Sequence, residues 1–307
     1  MSIACCTSRT ELEEVVDVCD RAFDATPREY FERHVLRDPT LRPEDTLIAR
    51  HDGRIVSSVQ IFPRQCWIDG RIVAFAGIGN VATDPAHRRA GHAGQLLSEA
   101  VRVMQARGFP FSMLTTTINA YYAKFGYTTV TRELAVFPPV VSQAQGVVLR
   151  EFRRDADLGS VRETYDAWNR ESVGPIARDT AYWNAQFDFC GEDPGMFLVA
   201  EERGRIRGFI RGNVEKGYLQ VLEYALTSSP PETFHALLGA LSARRPDLSI
   251  KMFLSDREKE RLHLRVPFAL QTDTDTMILL LDEEYRRMVE ERVMRPGVLM
   301  YWLADFF

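Results

Sequence analysis

The chain has 307 residues, 45% of them hydrophobic and 26% charged, which suits one large core or two of ordinary size. A net charge of −5 argues against a nucleic-acid partner, which normally requires a basic face. There is no N-terminal leader pattern, no run of about 18 apolar residues that would mark a membrane partner, and none of the five cysteines has C-x-x-C spacing, so a cytoplasmic protein with reduced thiols and no metal is expected.

In chain order, residues 3–7 read as a short strand. Thr10 then has Glu13 three residues on, a capping-box spacing, and Leu12, Val15, Val16, Cys19 and Phe23 follow at the helical period. A second helix is predicted over 28–36, stopping at Asp38-Pro39. Asp52-Gly53 lies between strands at 47–50 and 55–62, and Asp69-Gly70 between strands at 66–68 and 72–83. Asp-Gly suits the left-handed pair of a tight hairpin turn. A helix over 91–107 follows, with Leu96, Leu97, Ala100, Val101 and Met104 on its apolar face and Gly108 as its stop. A strand at 111–114, a brief helix at 119–125 ended by Gly126, and a closing strand at 127–137 complete the first half.

Residues 138–146 break both periods and read as a linker, after which the same order restarts. It runs as a strand at 147–152, helices at 157–168 and 179–187, paired strands at 197–202 and 206–214, and a strand at 218–226. A helix at 231–244, strands at 249–254 and 277–281, and a helix at 283–293 follow. The expected organisation is a first domain over 1–140, a second over 147–282, and a C-terminal helix with an aromatic tail over 283–307.

The stretch that carries chemistry is 81–97, Val-Ala-Thr-Asp-Pro-Ala-His-Arg-Arg-Ala-Gly-His-Ala-Gly-Gln-Leu-Leu: a strand end, a turn and a small-residue helix start in succession. The first turn of a helix leaves backbone N–H groups without intrahelical partners, and the dipole adds positive character there. Glycines remove side chains that would hold a ligand off those groups, so the segment reads as a diphosphate cradle with Arg88 and Arg89 beside it. Such glycine spacings are common by themselves; the position between a strand and an amphipathic helix makes this one specific. The alternative is an ordinary glycine-rich helix entrance with no ligand.

Val81-x-Thr83-x-Pro85-x-x-Arg88-Arg89-x-Gly91-x-Ala93-x-x-Leu96-Leu97 resembles the acetyl-CoA-binding motif of the GCN5-related N-acetyltransferase (GNAT) superfamily. Further on, Tyr121-Tyr122-Ala-Lys-Phe125-Gly126-Tyr127 resembles that superfamily's aromatic-Tyr-x-x-aromatic-Gly-aromatic motif. The resemblance implies an α/β (α+β) fold with mixed central sheets flanked by helices. It implies that Val81, Ala82 and Thr83 pair through main chain with the pantetheine arm. The amides of Arg89, Ala90, Gly91, His92, Ala93 and Gly94 would hold the pyrophosphate, with Arg88 close by. Tyr122 would give a proton to the departing thiolate, as a phenol that stays protonated at neutral pH can. Many relatives carry an Asn seven residues before that Tyr; Thr115 stands there instead, and its hydroxyl can take the contact. Asn119, out of that register, is a further cofactor-side candidate.

The second half has no counterpart of this loop: Leu222-Glu-Tyr-Ala-Leu226 runs into Thr-Ser-Ser-Pro-Pro. Two tandem GNAT-like folds with a degenerate second copy are therefore expected, with one CoA per chain. This layout resembles the Eis-like branch, in which a sterol-carrier-like domain usually follows; nothing of that kind is expected after residue 281. In that branch the terminal carboxylate serves as base, which implies a catalytic role for Phe307. His34, Glu133 and Asp305 are other base candidates. The activity implied is acetyl transfer from acetyl-CoA to a primary amine, small-molecule or peptide, by direct attack in a ternary complex. A CoA-binding sensor without turnover, or use of another acyl-CoA, is the alternative, and relatives of this branch leave room for a homo-oligomer.

Overall fold

Two mixed sheets flanked by helices organise the chain in a computed structural model that describes residues 2–141, 146–189, 193–227 and 231–305. The strands of the first half are β1 (Ser2–Cys5), β2 (Thr46–His51), β3 (Arg54–Ile68), β4 (Arg71–Thr83), β5 (Phe111–Thr115), β6 (Thr128–Thr129) and β7 (Arg132–Phe137). Those of the second are β8 (Val148–Glu151), β9 (Val173–Ile176), β10 (Phe197–Glu202), β11 (Arg205–Glu215), β12 (Tyr218–Leu226), β13 (Ile250–Phe253), β14 (Ala269–Asp273) and β15 (Thr276–Leu280). The helices are α1 (Arg9–Ala22), α2 (Arg28–Leu36), α3 (His92–Ala106), α4 (Asn119–Tyr122), α5 (Arg154–Asn169), α6 (Thr180–Phe189), α7 (Pro231–Ser242) and α8 (Asp256–Leu262).

The first sheet runs β1-β2-β3-β4-β5-β15-β6, with β9 also pairing β3; the second runs β8-β10-β11-β12-β13-β7-β14. The two halves thus trade a strand. The segment expected to close the first sheet divides: β6 stays, whereas β7 crosses to lie antiparallel to β13, Ile250 facing Phe137. In return β15 enters the first sheet between β5 and β6. The first sheet therefore holds two strands from the second half, β9 and β15, and the second sheet one from the first, β7.

Local chemistry explains most turns. Asp52-Gly53, Asp69-Gly70, Arg203-Gly204 and Lys216-Gly217 all place two successive residues at positive φ, the geometry of a tight hairpin. The first helix starts earlier than its Thr10 spacing suggested. Ser8 is the cap, its hydroxyl accepting from the Glu11 N–H, while the Glu11 carboxylate reaches back to Thr7. The 66–68 strand is not separate: β3 runs unbroken through it. The predicted 283–293 helix is three short pieces, the last a π turn over Val289–Val293. Strands β9 and β14 and helix α8 were not foreseen.

Helices α1 and α2 pack on one face of the first sheet, over Ile48, Ile55 and Ala82. Helix α3 packs on the other, over Leu47, Ala49, Val59, Ile61, Ala76 and Ile78. This alternation is the period-two pattern of strands covered on both faces. Residues 299–305 are no loose tail. Met300 N–H donates to Val173 O at 2.7 Å, and Gly174, at φ +108, lets the tail approach: a Cβ there would stand 2.6 Å from a Leu299 methyl. Trp302 is 2% exposed, edge-on to Tyr224, with its indole N–H on Asn169 at 3.0 Å.

Candidate active site

Strands β4 and β5 pair in parallel only at Ala76 with Ser112 and Gly77 with Met113. Beyond that point β4 continues to Thr83 against β3 alone, and β5 continues to Thr115 against β15 alone. The result is a wedge-shaped gap through the sheet. Its β4 edge carries a bulge: Ser58 faces Ala82 and Gln60 faces Gly79, so Asn80 and Val81 together oppose Val59. Asn80 takes the left-handed φ of 47°, which Asn tolerates, and its side-chain amide donates to Gln60 Oε1. Gln60 is held in turn by Thr46 Oγ1 at 3.0 Å. A bulge takes main-chain groups out of the ladder and re-aims them, and here the Asn80 carbonyl accepts from Ser58 Oγ at 3.3 Å.

The loop after β4 is tied to the end of α1. Arg21 pairs with Asp84 at 2.7 Å, and the Arg88 guanidinium donates to Ala22 O at 2.9 Å. Arg89 has φ 67° and Gly91 φ 81°, and Gly91 heads α3 with no side-chain cap. By contrast, Ser8 and Ser255 cap α1 and α8. By helix geometry the first-turn N–H groups of α3 have no acceptor four residues back within the helix, the arrangement that receives a phosphate.

Across the gap, Tyr122 on α4 is 8% exposed and stands edge-on to Tyr121 at 5.2 Å and to Tyr127 at 6.2 Å. Burial, with Tyr121 adding to it, pushes its hydroxyl up to about 12, so it stays protonated throughout the physiological range.

The β4–β5 gap and Tyr122 open on one cleft of about 1010 Å³, whose lining does not include Arg88, Arg89 or the head of α3. Its floor is Ile78, Gly79, Asn80, Val81 and Leu114, with Thr115 and Tyr122 beside them. Phe23 of the α1–α2 connection and Glu29, Tyr30 and His34 of α2 form one wall. Asn213, Glu215 and Leu222 from the second half, and Leu303 and Ala304 from the tail, form another.

Of the residues expected from sequence, Val81, Thr115 and Tyr122 meet in this cleft. The Ala82 side chain is buried under α1, which leaves its main chain to act, and the Thr83 hydroxyl is paired with Ser57 Oγ at 2.8 Å. Asn119 does not line the cleft; its amide donates to Thr129 Oγ1 and Thr274 O, both at 2.8 Å. Phe307 lies outside the described residues. Sequence reasoning missed Asn80, the α1–α2 wall, Leu222 and the 303–304 pair. Only Gly79-Asn80, a bulge-prone pair inside a strand, carried a local signal.

The other base candidates divide. His34 is in the cleft wall, its ring 4.2 Å from that of Tyr30, and burial holds its imidazole down at about 4. Glu133 is engaged by Lys259, and Asp305 is buried in two bonds from Arg178, at 2.9 and 2.8 Å. Neither lines the cleft. Cys6, Cys19 and Cys66 are buried thiols whose ionisation burial opposes. Among the described residues no group of His, Cys, Asp and Glu is arranged to hold a metal ion, and no helix is long and apolar enough to cross a membrane.

A splayed parallel pair, bulged on one side and leading through a loop to an uncapped helix, frames the candidate site. Among known families, the acetyltransferase (GNAT) domain family matches residues 7–130. That stretch thus matches a GNAT acetyltransferase domain, and the chain is similar to Eis proteins. It is 27% identical over 172 residues to the N-acetyltransferase Eis of Mycobacterium tuberculosis, a match that covers 51% of this chain and 43% of that protein. It thus spans less than half the length of the curated relatives it matches. Among solved structures, a conserved protein of Enterococcus faecalis V583 superposes with a TM-score of 0.72 at 16% identity, over 92% of this chain and 72% of that one. Eis1 of Mycobacterium abscessus gives 0.65 at 18% identity, over 92% and 74%. These two likenesses show that both sheets, not the first alone, share the fold.

Proposed function

We propose that this chain transfers an acetyl group from acetyl-CoA to a primary amine by direct attack in a ternary complex. The single observation that carries the reading is the convergence of the β4–β5 gap, the Asn80–Val81 bulge and Tyr122 on one cleft, with the uncapped head of α3 at the end of β4. The diphosphate would rest on the amides of residues 89–94, and the pantetheine arm would run along Val81 and Thr83. Main-chain N–H groups freed by the bulge would polarise the thioester carbonyl.

The amine nitrogen, once neutral, attacks the carbonyl carbon; the C–S bond then breaks and the sulfur leaves with the electron pair. Tyr122 would donate its O–H to that sulfur. A phenol held at about 12 is a weaker acid than a thiol, so its main effect is a hydrogen bond that stabilises the thiolate as charge builds on it. The proton lost by the amine balances the one the thiol finally carries. Placement of Leu303 and Ala304 in the cleft wall supports a carboxylate at Phe307 as the acceptor of that proton, ahead of His34, which burial makes a weak base. Direct transfer also fits the core positions of Cys6, Cys19 and Cys66.

The test is thiol release from acetyl-CoA with a panel of primary amines, run beside calorimetric titration of CoA. Release that depends on the amine supports the reading. Tight CoA binding with no release for any amine would make the protein a cofactor sensor instead.

A further inference from the structure

The proposed transfer leaves the acceptor open, and the inference here rests on that reading. The gap between β4 and β5 passes through the sheet, with α3 on one face and α1–α2 on the other. A cofactor whose diphosphate sits on α3 leaves the α1–α2 side for the amine. That side is apolar at its rim. Among the exposed large hydrophobic residues of the chain, Phe23, Tyr30 and Ile118 gather around this cleft, and Ile118 is 59% exposed. Exposed apolar side chains scattered singly need no explanation, but a cluster around a concave site marks what the site receives. The facing wall, from Leu222 to the tail residues Leu303 and Ala304, continues the same character.

Charge points the same way. The two carboxylates of the cleft already have cations of this chain: Glu29 is bound by Arg33, and Glu215 is met by Lys216 at 3.2 Å. Both carboxylates are solvent-exposed, so they would neutralise a substrate with several ammonium groups only weakly, and its remaining charges would stand against aromatic rings and methyl groups. One amine, delivered as the free base to the thioester, requires no such surplus. We propose that the acceptor is a small monoamine with an aromatic-sized apolar body, held by Phe23, Tyr30 and Ile118 while its nitrogen reaches the bulge at Asn80.

The experiment uses the full chain with acetyl-CoA and compares 2-phenylethylamine, hexylamine and spermine by thiol release. The expected result is a kcat/KM for 2-phenylethylamine at least about tenfold above that for spermine, the contribution of seating a phenyl-sized group. Ile118→Ser, at an exposed position whose loss does not threaten folding, should raise the KM for 2-phenylethylamine about fivefold while kcat and the Kd for CoA hold. Spermine equal to or better than the monoamines overturns the inference and leaves acetyl transfer intact. An unmoved KM in Ile118→Ser overturns the placement of the body. No thiol release with any of the three, in a protein that binds CoA and releases thiol with another amine of the wider panel, also overturns the inference and leaves acetyl transfer intact.

Discussion

In the first sheet β4 and β5 part after Gly77 and Met113, and a cleft of about 1010 Å³ stands between them; in the second, β12 and β13 pair only at Leu219 with Ile250 and Gln220 with Lys251 before they diverge. Even the bulge is repeated, since Arg211 faces Glu223 and Gly212 faces Val221, leaving Leu222 as the extra residue. What differs is what lies against each gap. In the second sheet the chain's own tail does: Trp302 packs on Tyr224 of β12, and Arg132 of β7 donates to Tyr301 O at 3.1 Å. Arg178 joins Asp305 to Glu223 of β12, and Arg211 closes the cluster, with all four side chains fully buried. Two positive and two negative groups balance, as buried charges must. The same backbone frame therefore borders an open cleft in one half and a tail anchor in the other, and the anchor sets Leu303 and Ala304 in the wall of that cleft.

That contrast can be broken most forcefully at the anchor. Trp302→Ala should lower the unfolding free energy by about 3–5 kcal/mol in a urea titration, because a large buried ring leaves a cavity. The variant should still bind one equivalent of CoA; a second equivalent would mean that the tail alone closes the second site. Acid should act next, on the first half. Burial holds His34 at about 4, against an ordinary 6.5. Between those values the unfolded chain binds the proton and the folded chain does not, so stability present above pH 6.5 falls as pH drops toward 4. The loss is about 3 kcal/mol at the acid end, and His34→Gln should show a flatter profile over the same range. A His34→Gln curve as steep as that of the parent would contradict the burial of a neutral ring.

Smaller effects sharpen the comparison at the cofactor. Tyr122→Phe should reduce kcat by about ten- to a hundredfold with the Kd for CoA nearly unchanged, and equal turnover would remove the tyrosine from the chemistry. With the hydroxyl at about 12, the parent should show no alkaline fall in kcat from this group up to pH 10, while kcat/KM rises as the amine loses its proton. Gly91→Ala has room for the methyl, whose nearest neighbour would be 3.9 Å away, but not the backbone, at φ 81°. A loss of about 1 kcal/mol in stability and a severalfold weaker CoA affinity are expected.

The sequence was most informative where the physics is local. Asp-Gly turns, the 81–97 strand–loop–helix and the short helix ended by Gly126 each depend on neighbouring residues, and each is where it was expected. Ser8 caps the helix where Thr10 was expected; both have a Glu three residues on, so the spacing alone does not choose between them. The exchange of β7 and β15 left no trace, since alternation at 132–137 and 276–280 specifies a buried strand but not which sheet takes it. The cleft walls were hidden for the same reason. Leu222, Leu303 and Phe23 reach one cavity from distant parts of the chain, and their chemistry there depends on tertiary contacts.

Calorimetric titration of the full chain with CoA tests the account most directly. It predicts saturation at one equivalent, with affinity weakened by Gly91→Ala and untouched by Tyr122→Phe. No heat at millimolar CoA, or two equivalents per chain, would contradict it.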